Sequence, residues 1–218
     1  MRVIVVNSQK GGSGKSSVCR TLSVHVARAR RSAFLIDLDP QRTLAQWHEA
    51  RQNEEPRRAE LDAQSLKDGL ELMRQQDVDY AFIDTPPQAS ENLDEVFRCA
   101  DLVLVPIKPT PDDLKSAAVT VTRLKELGVP FLFVITQAIQ NTNITAQAVA
   151  ALSHHGPVAQ TLIVNRVVYP AAFTDGRTPE EIDPKGNAAL ETAKLWANIE
   201  ACLHANMKAY SERKIANG

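Results

Sequence analysis

A glycine-rich segment near the N-terminus carries lysines and hydroxyl side chains in a spacing that suits phosphate binding. It runs Gln9-Lys10-Gly11-Gly12-Ser13-Gly14-Lys15-Ser16-Ser17 and follows the apolar run Val3–Val6. Glycines let successive backbone N–H groups converge on a phosphate, and a helix N-terminus adds the positive end of its dipole. In such a loop Lys15 would contact the β- and γ-phosphates, and the Ser16 hydroxyl would bind Mg²⁺. The predicted nucleotide-binding set is therefore Gly11, Gly12, Ser13, Gly14, Lys15, Ser16 and Ser17.

Carboxylates follow two other apolar runs. Asp37 and Asp39 come at and after the end of one run, and Asp84 ends another. Taken singly, such residues could be turn or helix-capping groups. Beside a phosphate loop they have a second role, because one carboxylate can orient the water that attacks the γ-phosphate and another can hold Mg²⁺ through a bound water.

The elements that must position these residues alternate along the chain. Six short apolar runs lack polar alternation, which indicates strands buried on both faces of a parallel sheet. These runs are Val3–Val6, Ala33–Ile36, Tyr80–Ile83, Leu102–Val105, Phe131–Ile135 and Thr161–Val164. Segments with helical periodicity lie between and after them: Lys15–Arg30, Pro40–Arg51, Leu66–Gln75, Asn92–Cys99, Asp112–Leu127, Ile144–His154 and Asn187–Met207.

This alternation predicts a doubly wound, mostly parallel α/β sheet with helices on both faces, formed as one domain over residues 1–218. Ligands in such folds bind at the carboxyl ends of the strands, which is where the candidate residues fall. The charged stretch Glu49–Glu60, around Pro56, is interpreted as a solvated surface connection.

Composition limits the partners. The 218 residues include 25 Lys and Arg against 26 Asp and Glu, so a net charge of -1 gives no overall attraction to nucleic acid, and any such partner needs a local patch. The N-terminal apolar run is too short for a signal peptide, and no window approaches the roughly 20 apolar residues of a membrane span. The three cysteines lie far apart. We therefore expect a cytoplasmic protein.

The glycine loop departs from the general pattern G-x-x-x-x-G-K-[ST], because Gln9 stands at the first glycine position and Lys10 follows it. The stretch Lys10–Ser16 resembles the deviant Walker A motif of the ParA/MinD family of ATPases. Asp37–Gln41 resembles the second motif of that family, and Tyr80–Asp84 resembles a Walker B strand. The resemblance covers nearly the whole chain and implies ATP and Mg²⁺ as ligands.

The resemblance also implies roles for individual residues. Lys10 corresponds to the signature lysine, which reaches the partner's ATP in a nucleotide-sandwich dimer. Asp39 corresponds to the residue that positions the catalytic water, so Lys10, Lys15 and Asp39 form the implied catalytic set. The implied Mg²⁺ set is Ser16, Asp37, which would support the metal's shell, and Asp84. Thr85–Pro87 resembles the start of the family's nucleotide-sensing switch.

Two further segments keep alternative interpretations. The segment Asp101–Asp112 predicts a rigid, proline-containing loop ahead of a helix, and it also resembles the segment that lies at dimer or higher-order interfaces in small plasmid-partition ATPases. Asn165 could contact adenine or serve as a turn residue, and Thr136 and Gln137 could also lie near the base. The chain lacks an Asn-Lys-x-Asp signature at these strand ends, which favours ATP over GTP.

The resemblance implies a Mg²⁺-dependent ATPase of weak basal activity that forms a homodimer on ATP and binds nonspecific DNA. Such a protein partitions or positions a plasmid, a chromosome region or another large cargo, and a ParB-like or other adaptor protein stimulates hydrolysis. Only one strand precedes the loop, so we expect no N-terminal helix-turn-helix, as in the small ParA-type proteins. The protein would be nucleoid-associated when bound to ATP.

Two alternative functions fit the sequence less well. A MinD-like, membrane-cycling regulator of division or positioning needs a basic amphipathic C-terminal segment. Here Ile199, Leu203, Met207 and Tyr210 recur at helical spacing, which predicts a helix packed on its own core and no stable membrane anchor. An electron-transfer ATPase like the nitrogenase iron protein needs paired cysteines for an Fe–S cluster, and the spacing of the cysteines offers no pair.

DNA binding would need a basic surface assembled in the dimer. The candidates toward the C-terminal end are Arg166, Lys185, Lys194, Lys208, Arg213 and Lys214. A denser cluster, on or after the first predicted helix, comprises Arg20, Arg28, Arg30 and Arg31. Each could equally be an ordinary solvated charge, and helix-end arginines also complement the helix dipole.

Overall fold

A parallel sheet forms the centre of the molecule. The computed structural model describes residues 1–87, 92–140 and 142–216, with side chains up to residue 207. Within that part the strands are β1 (Arg2–Val6), β2 (Ala33–Asp37), β3 (Arg57–Ala59), β4 (Tyr80–Asp84), β5 (Leu102–Ile107) and β6 (Phe131–Ile135). Their order across the sheet is β3-β2-β4-β1-β5-β6, and every pairing is parallel. The predicted α/β fold class is confirmed.

Helices connect the strands and cover both faces. In chain order they are α1 (Lys15–Arg28), α2 (Thr43–Glu49), α3 (Leu66–Gln75), α4 (Leu93–Arg98), α5 (Pro111–Glu126), α6 (Asn143–Ser153), α7 (Val168–Phe173), α8 (Pro179–Ile182) and α9 (Asn187–Ala216). The periodic segments predicted α1 to α6 to within about three residues at each end, and they predicted the start of α9, which continues nine residues beyond the predicted end at Met207. The sequence analysis missed α7 and α8, because these helices are too short for a 3.6-residue pattern to be detected.

Alternate residues of β1 explain why its sequence is apolar throughout. Val3 and Val5 pack into a core layer with α5, whereas Ile4 and Val6 pack into a second layer with α1 and α9. Because side chains alternate across a strand, a sheet covered on both faces needs apolar residues at every position.

Two sequence interpretations of strands were wrong. Arg57–Ala59, inside the stretch interpreted as a surface connection, pairs with β2 as an edge strand. Its charged residues are typical of an edge, so they give no apolar pattern. Thr161–Val164 is not a strand, although Ile163 N donates to Ile135 O at 2.9 Å. One isolated bridge forms there, between Val164 and Ala138, because β6 ends at Ile135 and Gln137 turns the chain with a φ of 51°.

The C-terminal helix packs on the core as its spacing predicts. Ile199 and Leu203 are buried against the layer that contains α1, while Met207 is 45% exposed. Tyr210 lies beyond the described side chains. None of the described helices has the length and apolar character needed to cross a membrane.

Candidate functional site

The phosphate loop joins β1 to α1 through backbone that suits glycine. Gly12 has a φ of 71° and Gly14 a φ of 94°, both in the left-handed region that side-chain-bearing residues avoid. Gly14 is the N-cap of α1, which begins at Lys15. The sequence placed a glycine turn between a strand and a helix, and the structure confirms that arrangement.

Side chains at the end of β6 brace this loop. The Thr136 hydroxyl donates to the Ser13 carbonyl at 2.7 Å, and the Gln137 amide donates to the Gly12 carbonyl at 2.8 Å. A Cβ on Gly14 would lie only 3.5 Å from Thr136. Both residues were considered as base-contacting groups, and the structure shows that they also fix the phosphate loop. A loop whose carbonyls are held by the neighbouring strand end is preorganised for an anion.

The two motif lysines have different surroundings. Lys15 is 7% exposed and has no ion-pair partner among the described residues. Lys10 has a 42% exposed side chain, and its Nζ lies 3.1 Å from the Asp113 carboxylate. A third lysine, Lys108, was not predicted, and its Nζ lies 3.5 Å from the position a Cβ on Gly12 would occupy. The loop is therefore bordered by three cations.

Asp84 is the most deeply buried carboxylate of the site. Strand register places it beside Asp37 of β2 and Val6 of β1, and it is 0% exposed. Neither carboxylate oxygen has a hydrogen-bond partner within the described residues. Burial raises the pKa of Asp84 to about 7, and the nearby Ser16 hydroxyl offsets this effect only in part.

The donor set fits a phosphate-bound Mg²⁺. Two unpartnered oxygens of Asp84 lie close to the Ser16 hydroxyl, at the start of the helix that follows the phosphate loop. Within the described residues no group of three or more His, Cys, Asp or Glu side chains could hold a metal by itself. That composition suits a magnesium ion bound by one hydroxyl, water and substrate phosphates rather than by a protein cage.

Asp37 and Asp39 form one connected turn after β2. Asp37 accepts hydrogen bonds from the backbone N–H groups of Asp39, at 3.0 Å, and Ala45, at 2.9 Å. Burial raises the pKa of Asp37, and these N–H groups counteract the rise. Asp39 is half-exposed and accepts from Gln41 N at 3.0 Å. The structure thus gives Asp37 a positioning role in this turn, alongside the metal role the resemblance implies.

A buried polar network was missed by the sequence analysis. Asn7 donates to the Thr85 hydroxyl at 2.8 Å, and that hydroxyl donates to the Val6 carbonyl at 2.9 Å. Thr120, in the middle of α5, donates to the Asn7 side chain at 3.4 Å. The network ties the start of the predicted Thr85–Pro87 switch to β1 and α5. The only sequence signal is a polar residue directly after each of two apolar strands.

A cavity of about 220 Å³ adjoins the phosphate loop. Gly14 and Ser17 line one side, and Asn165, Tyr169 and Phe173 contribute to the other. Asn165 is exposed, and its backbone N–H donates to Ala138 O at 3.0 Å, so it also serves the turn considered for it. The Tyr169 hydroxyl is buried without a partner among the described residues, and burial raises its pKa. An apolar cavity with few polar groups suits a nucleotide base.

The candidate DNA-binding residues fall into groups according to whether they are buried, form an ion pair or are exposed without one. Arg20 is 7% exposed, with its guanidinium over the Phe173 ring, so it cannot belong to a surface patch. Arg28, Arg31 and Arg166 pair with Glu180, Asp79 and Glu191, respectively. Lys185, Lys194 and Arg30 are exposed and have no ion pair among the described residues. The side chains of Lys208, Arg213 and Lys214 lie outside the described part.

Replacing Asp84 with asparagine is expected to stabilise the nucleotide-free protein. Its raised pKa means that the folded state holds this proton more tightly than the unfolded state, so stability is lost as pH rises from about 4 toward 7. Asparagine removes the buried charge. We expect the melting temperature of Asp84→Asn to exceed that of the wild type by about 3–6 °C at pH 8.

Thermal denaturation of metal-free, nucleotide-free protein at pH 5 and pH 8 measures this effect. The difference should shrink at pH 5, where Asp84 is protonated in the folded wild type. Asp68→Asn, at an exposed position of α3, is the matched control and should shift the melting temperature little at either pH. Equal melting temperatures for Asp84→Asn and wild type at pH 8 would contradict the buried-charge assignment.

Comparison with known proteins agrees with this geometry. Residues 4–179 match the CobQ/CobB/MinD/ParA nucleotide binding domain. The chain is 28% identical over 211 residues to Protein ParA of Rhizobium radiobacter, a match covering 90% of this chain and 95% of the relative.

Two solved structures share its fold. One is a chain of the MinC:MinD cell division protein complex of Aquifex aeolicus, with a TM-score of 0.77, 16% identity, and coverage of 92% of this chain and 96% of that one. The other is a plasmid partition protein of Borrelia burgdorferi bound to AMPPNP, with a TM-score of 0.74, 16% identity, and coverage of 92% and 98%.

The chain therefore belongs to the CobQ/CobB/MinD/ParA nucleotide binding domain family. Within that family it is a ParA/MinD-type ATPase with similarity to partition proteins, as its deviant Walker A motif implied.

Proposed function

We propose that this protein is a ParA-like switch that binds ATP and Mg²⁺, dimerises in the ATP state, binds DNA of any sequence and releases it on hydrolysis. Its task is to partition or position a large cargo, with hydrolysis stimulated by an adaptor protein. The observation that carries the proposal is the pair of motif lysines. Lys15 is buried at the phosphate loop, whereas Lys10 is accessible on the outer side of the same loop.

Each lysine suits one part of this cycle. Lys15 forms no ion pair within the described residues, so a nucleotide phosphate would be its natural counter-ion. Lys10 has a side chain long enough, and exposed enough, to contact a phosphate held by a second copy. A cation supplied in trans stabilises the charge that develops during phosphoryl transfer.

Ser16 and Asp84 would hold Mg²⁺, the former through its hydroxyl and the latter through a bound water. When bound, Mg²⁺ would neutralise negative charge on the phosphates. The protein's own contribution is to exclude bulk solvent around Asp84 and to fix Asp39, whose carboxylate would orient the attacking water.

The charge distribution supports DNA binding only in an assembled state. The overall charge is -1, and several arginines are neutralised by neighbouring carboxylates. The exposed lysines Lys185 and Lys194 are the best-placed candidates in the described part. Because a dimer doubles such a sparse patch, we expect the monomer to bind DNA weakly and the ATP-bound dimer to bind it well.

The test is sedimentation and DNA binding of the wild type and Lys10→Ala with Mg²⁺ and ATP. We expect the wild type to dimerise and bind unrelated duplexes with similar affinity, weakening at least about tenfold between 50 and 200 mM salt. Lys10→Ala should retain most of its ATP affinity but fail to dimerise and to bind DNA.

Lys125→Ala, which removes an exposed lysine in the last turn of α5, at the other end of that helix from Asp113, is the matched control and should behave as wild type. A Lys10→Ala protein that dimerises normally would overturn the role of Lys10. ATP-loaded protein that binds anionic liposomes and ignores DNA would instead support a MinD-like, membrane-cycling function.

A further inference from the structure

The Lys10 side chain is already engaged within its own subunit. Its Nζ lies 3.1 Å from Asp113 Oδ2 and 4.0 Å from Asp112 Oδ2. The two carboxylates differ sharply, because the Asp113 side chain is 6% exposed and the Asp112 side chain 81% exposed. Asp113 is therefore the partner that gains most from the ammonium, since a buried charge depends on its ion pair.

Asp113 is built into the start of α5. Its backbone N–H donates to the Thr110 hydroxyl, the N-cap of α5, and Pro111 occupies the first turn. Oδ2 accepts from Thr110 Oγ1 at 2.5 Å as well as from Lys10, while Oδ1 has no partner in the described part of the chain. Without Lys10, this buried carboxylate would keep Thr110 as its only described side-chain donor.

We propose that Asp113 is a positioning residue for Lys10, which it holds within its own subunit until a second, ATP-loaded copy competes for the ammonium. This inference rests on the proposed function, in which Lys10 contacts the partner's nucleotide. Because Asp113 faces inward at the start of α5, movement of Lys10 toward another subunit separates the pair. Dimerisation must then overcome the loss of this ion pair, so Asp113 raises the threshold for dimer formation.

The same contact gives the proline-containing segment a defined role. The chain leaves β5 at Ile107, and Pro109 and Pro111 restrict the backbone that carries Asp113 to the phosphate loop. A rigid support keeps the carboxylate at a fixed distance from Lys10, whereas a mobile one would release it. The segment thereby couples α5 to the lysine that the dimer needs.

The test is the dimer dissociation constant of Asp113→Asn by sedimentation velocity with saturating AMPPNP and Mg²⁺. Asparagine retains the size of the side chain and an acceptor for Thr110 but lacks the charge. We expect dimerisation about fivefold tighter than in the wild type, because each of the two subunits no longer has to break an ion pair, and one pair with a solvent-exposed partner is worth about twofold. Asp112→Asn is the matched control, and we expect less than about a twofold change because that carboxylate is exposed and more distant.

Three further measurements make the result specific to Lys10. In a Lys10→Ala background, Asp113→Asn should leave the protein monomeric with AMPPNP, because the substitution acts only through Lys10; recovery of the dimer would contradict the positioning role. Asp113→Glu, which retains a carboxylate, should restore wild-type behaviour. In the monomer, lysine-selective NMR should show the Nζ protons of Lys10 exchanging faster with water in Asp113→Asn than in the wild type or Asp112→Asn.

The outcomes separate this inference from the proposed function. Unchanged dimerisation and unchanged Nζ exchange in Asp113→Asn would overturn the positioning role, even where Lys10→Ala abolishes the dimer. A wild type that remains monomeric with AMPPNP would overturn the proposed function and this inference together. If Asp113→Asn does not fold, Thr110→Val provides a second test, because it removes the other side-chain donor to Asp113 and leaves the ion pair with Lys10 in place. We expect the Nζ protons of Lys10 to exchange no faster in Thr110→Val than in the wild type. Faster exchange would contradict the ion pair as the main restraint on Lys10.

Discussion

Replacing Lys15 with alanine is expected to lower ATP affinity at least about a hundredfold. Lys15 is a buried cation without an ion-pair partner in the described residues, at the first position of α1. Charge-assisted hydrogen bonds to phosphate are among the strongest in proteins, and here they would form away from competing water. Titration of a fluorescent ATP analogue with Mg²⁺ measures the loss.

The stability of the nucleotide-free protein should change little. Alanine removes a buried ammonium that has no ion pair among the described residues, but it also removes an attraction to the buried Asp84 carboxylate, so we expect the melting temperature of Lys15→Ala to stay close to that of the wild type. Lys115→Ala, an exposed lysine on α5, should change neither ATP affinity nor melting temperature. ATP binding within threefold of wild type in Lys15→Ala would remove Lys15 from the phosphate site.

Replacing Asp39 with alanine is expected to lower the ATP hydrolysis rate about a hundredfold or more while ATP binding persists. Loss of a group that positions or activates water typically costs 10²–10⁴ in rate. Because hydrolysis limits the lifetime of the ATP state, the variant should accumulate as an ATP-bound dimer. Single-turnover hydrolysis and sedimentation of the same sample measure both effects.

A second variant separates chemistry from local structure. Asp39 also accepts a hydrogen bond from Gln41 N, so alanine disturbs this turn as well as the carboxylate. Asp39→Asn retains an acceptor for Gln41 N but lacks the negative charge. We expect Asp39→Asn to melt like the wild type and yet hydrolyse ATP as slowly as Asp39→Ala. Rapid turnover in Asp39→Asn would mean that Asp39 has only a structural role.

Most of the fold could be predicted because its strongest patterns are local. Five of the six apolar runs became strands, since a strand buried on both faces must be apolar at consecutive positions, as Val3–Val6 is. The sequence did not predict the edge strand Arg57–Ala59. This strand pairs with β2 on one side and faces solvent on the other, so its residues can be polar and show no apolar run. Thr161–Val164 has a strand-like sequence but makes one isolated bridge, because the neighbouring chain turns at Gln137 just after β6.

The residues of the candidate site could be predicted only where a recognisable motif stands at the end of a predicted strand. The glycine loop and the carboxylates stand at strand ends, so parallel pairing places them at one edge of the sheet. The neighbouring positions of Asp37 and Asp84 depend on the pairing of β2 with β4, which the structure decided. Thr120 and Asp113 carry no such signal. Each is one polar residue in an amphipathic helix, and its contact with Asn7 or Lys10 joins residues more than a hundred positions apart.

The sequence by itself determined the family, the phosphate loop and the edge of the sheet where the chemistry lies, because glycine conformations, strand burial and helix starts depend on neighbouring residues. The tertiary structure decided which charges are free to act. It buried Arg20, left Lys15 without an ion pair among the described residues and paired Lys10 with Asp113. Those outcomes depend on desolvation and on distances between remote elements, and neither quantity is encoded in local spacing.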